Sequence, residues 1–488
     1  MRYFLLACML TAALACSAQN KSMRDAYEEF RQQKKQEYAD FRARANSRYA
    51  EFLRESWRKF QAMPVTPVPK DDDVPPVVMP DEDRDKPIDD RELTVKEVVP
   101  KVVPKVVPQP QPVSPIEETP QPVDNSVAFS YCGTPMKVRL DARAMNALPS
   151  CSGADVSTAW SELSARGATE NAISDCLKLR DELSLNDWAY LNMLDSLAQK
   201  VYGKGNEATM LTAYIFCQSG YKMRLGNDNG KLVMLIGTRH LVYGRPYYVL
   251  DGYNFFPFDN VSDDLVLCDT AFPEEKPMSL LMTRQPRFAC NATPEREFVS
   301  ADMPQMKVKV SVNRNLIDFY NTYPTSMLGD NFMTRWAMYA DMPLDERVKQ
   351  QLYPVLRDNI KGLPKIDAAN VLINFVQKAL VYGNDNDMWG EDRAFFAEET
   401  LFYDFCDCED HAILFTRLVR DLLGLKTALV YYPGHLASAV CFDADVPGDY
   451  INIDGKRFVI ADPTFIGADV GRSMPDVDNA TASVIVLD

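Results

Sequence analysis

The chain is poor in histidine, in positive charge and in long apolar runs. Only three of its 488 residues are histidine, at 240, 411 and 435, so a histidine that falls into a motif with other reactive residues is less easily a chance match. Lys and Arg number 53 against 69 Asp and Glu, a formal net charge of −16. Phosphate contact needs a basic surface, so this balance argues against a nucleic-acid partner. The one extended apolar run, Tyr3 to Ala15, follows Arg2 and ends in small residues. That pattern reads as a secretory signal, too short to span a bilayer. Cleavage after Ala18 is expected, with lipid attachment at Cys16 as the less favoured alternative. The mature chain is then exported: periplasmic, cell-surface or secreted. Nine of the 11 cysteines would remain, an odd number that leaves at least one thiol unpaired in a monomer.

Residues 19–62 are expected to form a charged amphipathic helix. Tyr27/Phe30, Tyr38/Phe41 and Tyr49/Phe52 recur every 11 residues, close to three helical turns, and so draw one slowly drifting aromatic stripe. The favoured reading docks this stripe on the protein's own body or pairs it in a coiled coil. The alternative is association with an envelope surface. Residues 63–125 are Pro-rich and repetitive, including Val98-Val99-Pro100-Lys101-Val102-Val103-Pro104. Such a segment buries no core of its own and reads as a disordered tether.

Globular sequence follows as an α+β expectation, with one domain over 126–275 and another over 276–488. The chemistry concentrates between Phe405 and Thr464. Phe405-Cys406-Asp407-Cys408-Glu409-Asp410-His411 opens a helical pattern with apolar residues at 412, 415, 418, 419 and 422, and Gly424 stands at the C-cap position. Cys408 therefore sits at a helix start, where unpaired N–H groups and the helix dipole favour a thiolate. An apolar strand from Thr427 to Tyr432 follows, then a Pro-Gly break and Gly434-His435-Leu436. Phe458 to Ala461 forms a further strand that runs into Asp462-Pro463-Thr464. A Cys on a helix start, a His on one strand and an Asp on the next are the parts of a nucleophile, its base and the orienter of that base. A zinc site from Cys406, Cys408, His411 and His435 is the sharper rival, against the unusual Cys-x-Cys spacing. An inert buried thiol is the plainer one.

These three motifs, over about 370 to 470, resemble the transglutaminase-like superfamily of papain-like cysteine enzymes. The resemblance implies an α+β fold with Cys408 as nucleophile, His435 as general base and Asp462 as its orienting carboxylate. It further implies acyl transfer on a protein or peptide substrate through a thioester, with no cofactor or metal. Water as acceptor gives a peptidase or amidase and an amine gives crosslinking. A non-enzymatic envelope module built on such domains is the alternative. Cys406, where Gly or Ser is usual, and His411 depart from the pattern.

An earlier stretch repeats the order of elements. A helix from Asn206 to Phe216 is followed by a strand Leu232 to Ile236, then His240, and Asp251-Gly252 stands as far ahead of Asp259 as Asp454-Gly455 does of Asp462. Val-Tyr-Gly recurs at 201–203 and 381–383. The reading is an internal duplication whose first copy has Gly205 or Asn206 where the thiol would stand, with His240 expected beside Asp259. From Asp385 to Gly390 the chain has a calcium-loop look that Trp389 and Phe396 contradict. Glu391, Asp392, Glu398 and Glu399 are instead expected as a solvated acidic rim, with Trp389 and Tyr403 as groove walls.

Overall fold

The computed structural model describes residues 2–68, 74–101, 103–119, 125–329 and 331–487, without side chains for 2–22. The expectation for the Cys16 side chain lies outside what is described. The architecture is α+β. Among the described residues no helix is long and apolar enough to cross a membrane.

Two copies of one topology make up the body. In the first, helix Asp187–Tyr202 packs on α2 (Asn206–Gln218), with α1 being Arg2–Glu55. Five strands follow: β1 (Met223–Asp228), β2 (Lys231–Thr238), β3 (Tyr248–Leu250), β4 (Tyr253–Pro257) and β5 (Val266–Cys268), in spatial order β5-β1-β2-β4-β3. In the second, helix Lys365–Ala379 packs on α3 (Cys408–Leu423). Its strands are β6 (Lys426–Tyr432), β7 (His435–Cys441), β8 (Asp449–Ile453), β9 (Lys456–Ala461) and β10 (Ser483–Val486), in order β10-β6-β7-β9-β8. Every pairing among these strands is antiparallel in both sheets. The two sheets thus share strand order and direction.

Local chemistry explains the matching turns. Asp251 and Gly252 have φ of 50° and 75°, and Asp454 and Gly455 have 51° and 73°. Asp-Gly tolerates two successive left-handed residues and makes the tight hairpin that joins β3 to β4 and β8 to β9. Gly424 ends α3 at φ 66°, as a left-handed C-cap requires. The apolar stripe of α3 buries Ala412, Phe415, Leu418 and Val419 against β6 and β7, inside a core that runs through both copies.

The 63–125 segment is not a free tether. Its described residues lie along the body: Val77–Val78 pair with Phe465–Ile466, Arg91–Glu92 with β8 and Glu97–Val99 with β10. Leu93 closes the outer face of the second sheet, and Met79 packs with Phe465, Ala468 and Met474. Farther along, the backbone of Gln111 presses on Gly220, where an added Cβ would fall 2.0 Å from the Gln111 carbonyl oxygen. Composition misled for a physical reason. A Pro-rich chain cannot build a core, but short runs between prolines can add to the edges of a sheet that already has one.

Helix α1 docks only in part. Tyr49 and Leu53 are buried against helix Gly153–Leu163, with the Tyr49 ring 4.6 Å from that of Trp160. Tyr27, Phe30 and Tyr38 remain exposed, so the aromatic stripe is divided between the body and solvent.

Candidate active site

Asp462 follows the last residue of β9 and His435 opens β7, and the register of these neighbours brings the two side chains together. Ser438 lies opposite Ala461, so Asp462 turns back toward the start of β7. His435 Nε2 lies 2.8 Å from Asp462 Oδ2. Thr464 donates both its backbone N–H and its hydroxyl to Asp462 Oδ1, each at 3.0 Å. Burial pushes the Asp462 carboxyl up, but the His435 ring and the Thr464 bonds outweigh it and hold the group below the usual range. An ionised carboxylate only accepts, so Nε2 carries the ring proton and Nδ1 is left with a bare lone pair. Nδ1 is buried and has no hydrogen-bond partner. The Tyr432 ring stacks on the imidazole at 6.1 Å.

Cys408 is the first residue of α3, and α3 packs directly on β7. Its sulfur lies 3.5 Å from Glu409 Oε2, and the residue is 2 % exposed. The structure therefore brings His435 and Asp462 into direct contact and places Cys408 at the first residue of a helix that packs on their sheet. No hydrogen bond joins the sulfur to His435 Nδ1.

Cys406 and His411 belong to a separate contact. His411 Nδ1 meets the Asp407 carbonyl at 2.5 Å and the Cys406 sulfur at 3.6 Å. Burial lowers the His411 imidazole to about 4 and pushes the Cys406 thiol well above its usual range. The four-residue zinc set does not converge. Among the described residues, the donor groups within 4.8 Å of one another are Asp407/Cys408/Glu409, Asp385/Asp392/Glu409 and Asp385/Asp407/Asp410. None of the nine cysteines from Cys132 onward is in a disulfide, so Cys406 and Cys408 are not bridged.

The acidic rim is corrected. Glu391 is exposed, but Asp392, Glu398 and Glu399 are buried. Asp392 pairs with Arg335 at 2.5 Å, and Arg335 also lies 3.8 Å from Glu409. Glu398 accepts from Gln285 Nε2 and the Asp345 N–H, while Glu399 pairs with Arg393. Each found a cation or donor that allows burial, and the segment's helical polar pattern gave no sign of those distant partners. Trp389 is half-exposed and meets Tyr403 edge-on at 4.9 Å. Phe395 ties this aromatic group to α3, because its N–H donates to Asp410 Oδ1 at 2.8 Å.

Gln377 is a residue that motif reading missed. From helix Lys365–Ala379 its Nε2 donates to the carbonyls of Phe465 and Ala468 at 2.9 and 3.0 Å, and its Oε1 accepts from Gly467. It fixes the loop that follows Asp462, and only its place on an apolar helix, as a polar residue, hinted at a role.

The first copy does not hold the pair expected of it. His240 Nε2 accepts from the Leu280 N–H at 3.3 Å, whereas Asp259 pairs with Lys231 at 3.1 Å. Strand register explains the difference. Phe258 N–H donates to the Met234 carbonyl, which makes Phe258 and Met234 the counterparts of Ala461 and Ser438. Three residues before Met234 is Lys231, so a lysine stands where the second copy has His435. Asn206, the first residue of α2, bonds on both sides of Lys231: Nδ2 to the Gly230 carbonyl at 3.0 Å, and Oδ1 from the Leu232 N–H at 2.9 Å. The helix start and the hairpin start thus meet in this copy. Comparisons with protein-family models, with curated proteins and with solved structures find no match to the chain.

Proposed function

We propose that the second copy is a transglutaminase-like cysteine acyl-transfer site, with Cys408 as nucleophile, His435 as base and Asp462 as the residue that orients the ring. The observation that carries this reading is the His435–Asp462 contact with Nδ1 left bare. An imidazole so held is a base waiting for a proton, and the first residue of the helix packed on its strand is a thiol. The helix-to-hairpin contact of the first copy supports the same approach of Cys408 to His435, since Asn206 and Lys231 occupy the corresponding elements.

In the proposed reaction the Cys408 proton passes to His435 Nδ1 as the sulfur attacks an amide carbonyl. The tetrahedral oxyanion is held by the Cys408 backbone N–H, at the positive end of α3. Collapse breaks the C–N bond, the leaving amine takes the proton from His435, and a thioester remains. Water, deprotonated by the same imidazole, then releases the carboxylate and restores the thiol. The substrate is a protein or peptide, and the aromatic group of Trp389 and Tyr403 beside α3 offers it a wall. The reading also takes the chain to be exported, with the exposed Tyr27, Phe30 and Tyr38 of α1 available to an envelope surface.

A second reading, a non-catalytic envelope-binding module, is favoured by one fact: Cys408 is only 2 % exposed. An amide-based thiol probe incubated with the full chain separates the two. A probe adduct on Cys408 that disappears in His435→Ala supports catalysis. A Cys408 that stays unlabelled in the folded protein supports the binding module.

A further inference from the structure

A cavity of about 320 Å³ opens in the first copy, at the place that His435 and Asp462 occupy in the second. It lies between helix Asp187–Tyr202, the start of α2 and the strands β2 and β4. Lys204, Lys231, Asp195 and Asp259 supply its charges, and Leu232, Met234 and Phe258 supply an apolar floor. Its rim is built in advance, because Asn206 spends its side chain on the backbone at Gly230 and Leu232. A pre-formed pocket binds without first ordering its walls.

Two further features point to a ligand. Thr212 lines the cavity and is 2 % exposed, and its hydroxyl has no hydrogen-bond partner. A buried hydroxyl left unpaired costs stability that a ligand atom would recover. The N-cap of α2 is Gly205, which brings no side chain to the first-turn N–H groups beside Lys204. Those groups and the Lys204 amine together suit a carboxylate.

We infer that this cavity binds a short zwitterionic peptide, its terminal carboxylate at Lys204 and the start of α2, and its ammonium at Asp195. The charge balance selects that class. Lys231 and Asp259 already pair with each other, which leaves Lys204 and Asp195, one charge of each sign, and a ligand of net charge would match only one of them in a partly closed site. The volume lies at the small end of ligand pockets, which excludes a folded protein segment. The apolar floor takes the side chain between the two ends. Nothing in this inference depends on the chemistry at Cys408, and a result here leaves that reading untouched.

The test is calorimetric titration of the full chain, as wild type and as Cys408→Ala to remove any turnover. The probes are free tripeptides with Ala, Leu, Lys or Glu at each position in turn, together with the C-terminal amide and N-acetyl form of the best binder. Both proteins are expected to bind at least one free peptide. Capping either end should weaken it about tenfold or more, as loss of a charge-assisted bond does. Lys204→Glu, at an exposed position, should weaken it comparably, and the near-isosteric Thr212→Val should weaken it severalfold. The inference is overturned if no free peptide binds at millimolar concentration. It is equally overturned if capped peptides bind as well as free ones, or if both substitutions leave affinity unchanged.

Discussion

In the proposed mechanism, reactivity at Cys408 depends on a proton acceptor two elements further along the chain. Asp462 fixes the His435 proton on Nε2, so removing either residue takes away the base in a different manner. Alkylation of Cys408 by a small electrophile near neutral pH should therefore slow about a hundredfold in His435→Ala. In Asp462→Asn the ring loses the carboxylate that holds its proton on Nε2, and a decrease of at least tenfold is expected. Mass-spectrometric site mapping measures both rates. Cys406 is the internal control, since burial holds its thiol well above the usual range and it should stay unmodified. Equal labelling of Cys406 and Cys408, unaffected by His435→Ala, would sink the assignment.

At the scale of elements, the segment before residue 120 decides how the second sheet is closed. Met79 is 3 % exposed, and its neighbours Val77 and Val78 pair with the two residues at Phe465 and Ile466, just beyond Asp462. Val74 also donates to the Gly434 carbonyl, next to His435. Met79→Asp buries a charge among Phe465, Ala468 and Met474 and should detach this strap. Brief proteolysis should then cut between residues 74 and 99 many times faster than in the wild type. Equal cutting of both proteins would mean that the strap does not hold to the sheet in solution. Methionine to alanine, a milder change, should cost about 2 kcal/mol or more of local stability.

For the whole molecule, buried carboxyls make stability depend on pH in an unusual direction. Burial raises Asp392 to about 8 and Glu398 and Glu399 to about 7, above their ordinary values near 4. A group whose folded value is raised binds its proton more tightly when folded. Its contribution is complete below the unfolded value and is lost as pH climbs through 7 and 8. His240 and His411 act oppositely, since burial lowers both to about 4 and their contribution is lost as pH falls below about 6.5. Between pH 6.5 and 8.5 the carboxyls set the sign, since each unfolded histidine releases only its last half-proton there, worth about 0.4 kcal/mol. The melting temperature should accordingly fall by several degrees over that interval, reflecting on the order of 2 kcal/mol or more. A flat or rising profile would show that these acids are not buried as described.

The sequence by itself determined what local chemistry controls. The apolar spacing from Ala412 to Leu422 and the glycine at 424 specified α3, and Asp-Gly specified both hairpins, because caps and turns are decided within a few residues. The equal spacing from Asp251 to Asp259 and from Asp454 to Asp462 pointed to the strand order that the two sheets share, since spacing along a strand sets which face a side chain takes. Only the tertiary structure decided which residue opposes which. Strand pairing equates His435 with Lys231 rather than with His240, and no residue type announces that register. The fates of Asp392, Glu398 and the Pro-rich strap were likewise set by Arg335, Gln285 and the edges of the second sheet. These partners lie tens to hundreds of residues away, and burial of a charge or a Pro-rich strand is affordable only where such a partner already stands.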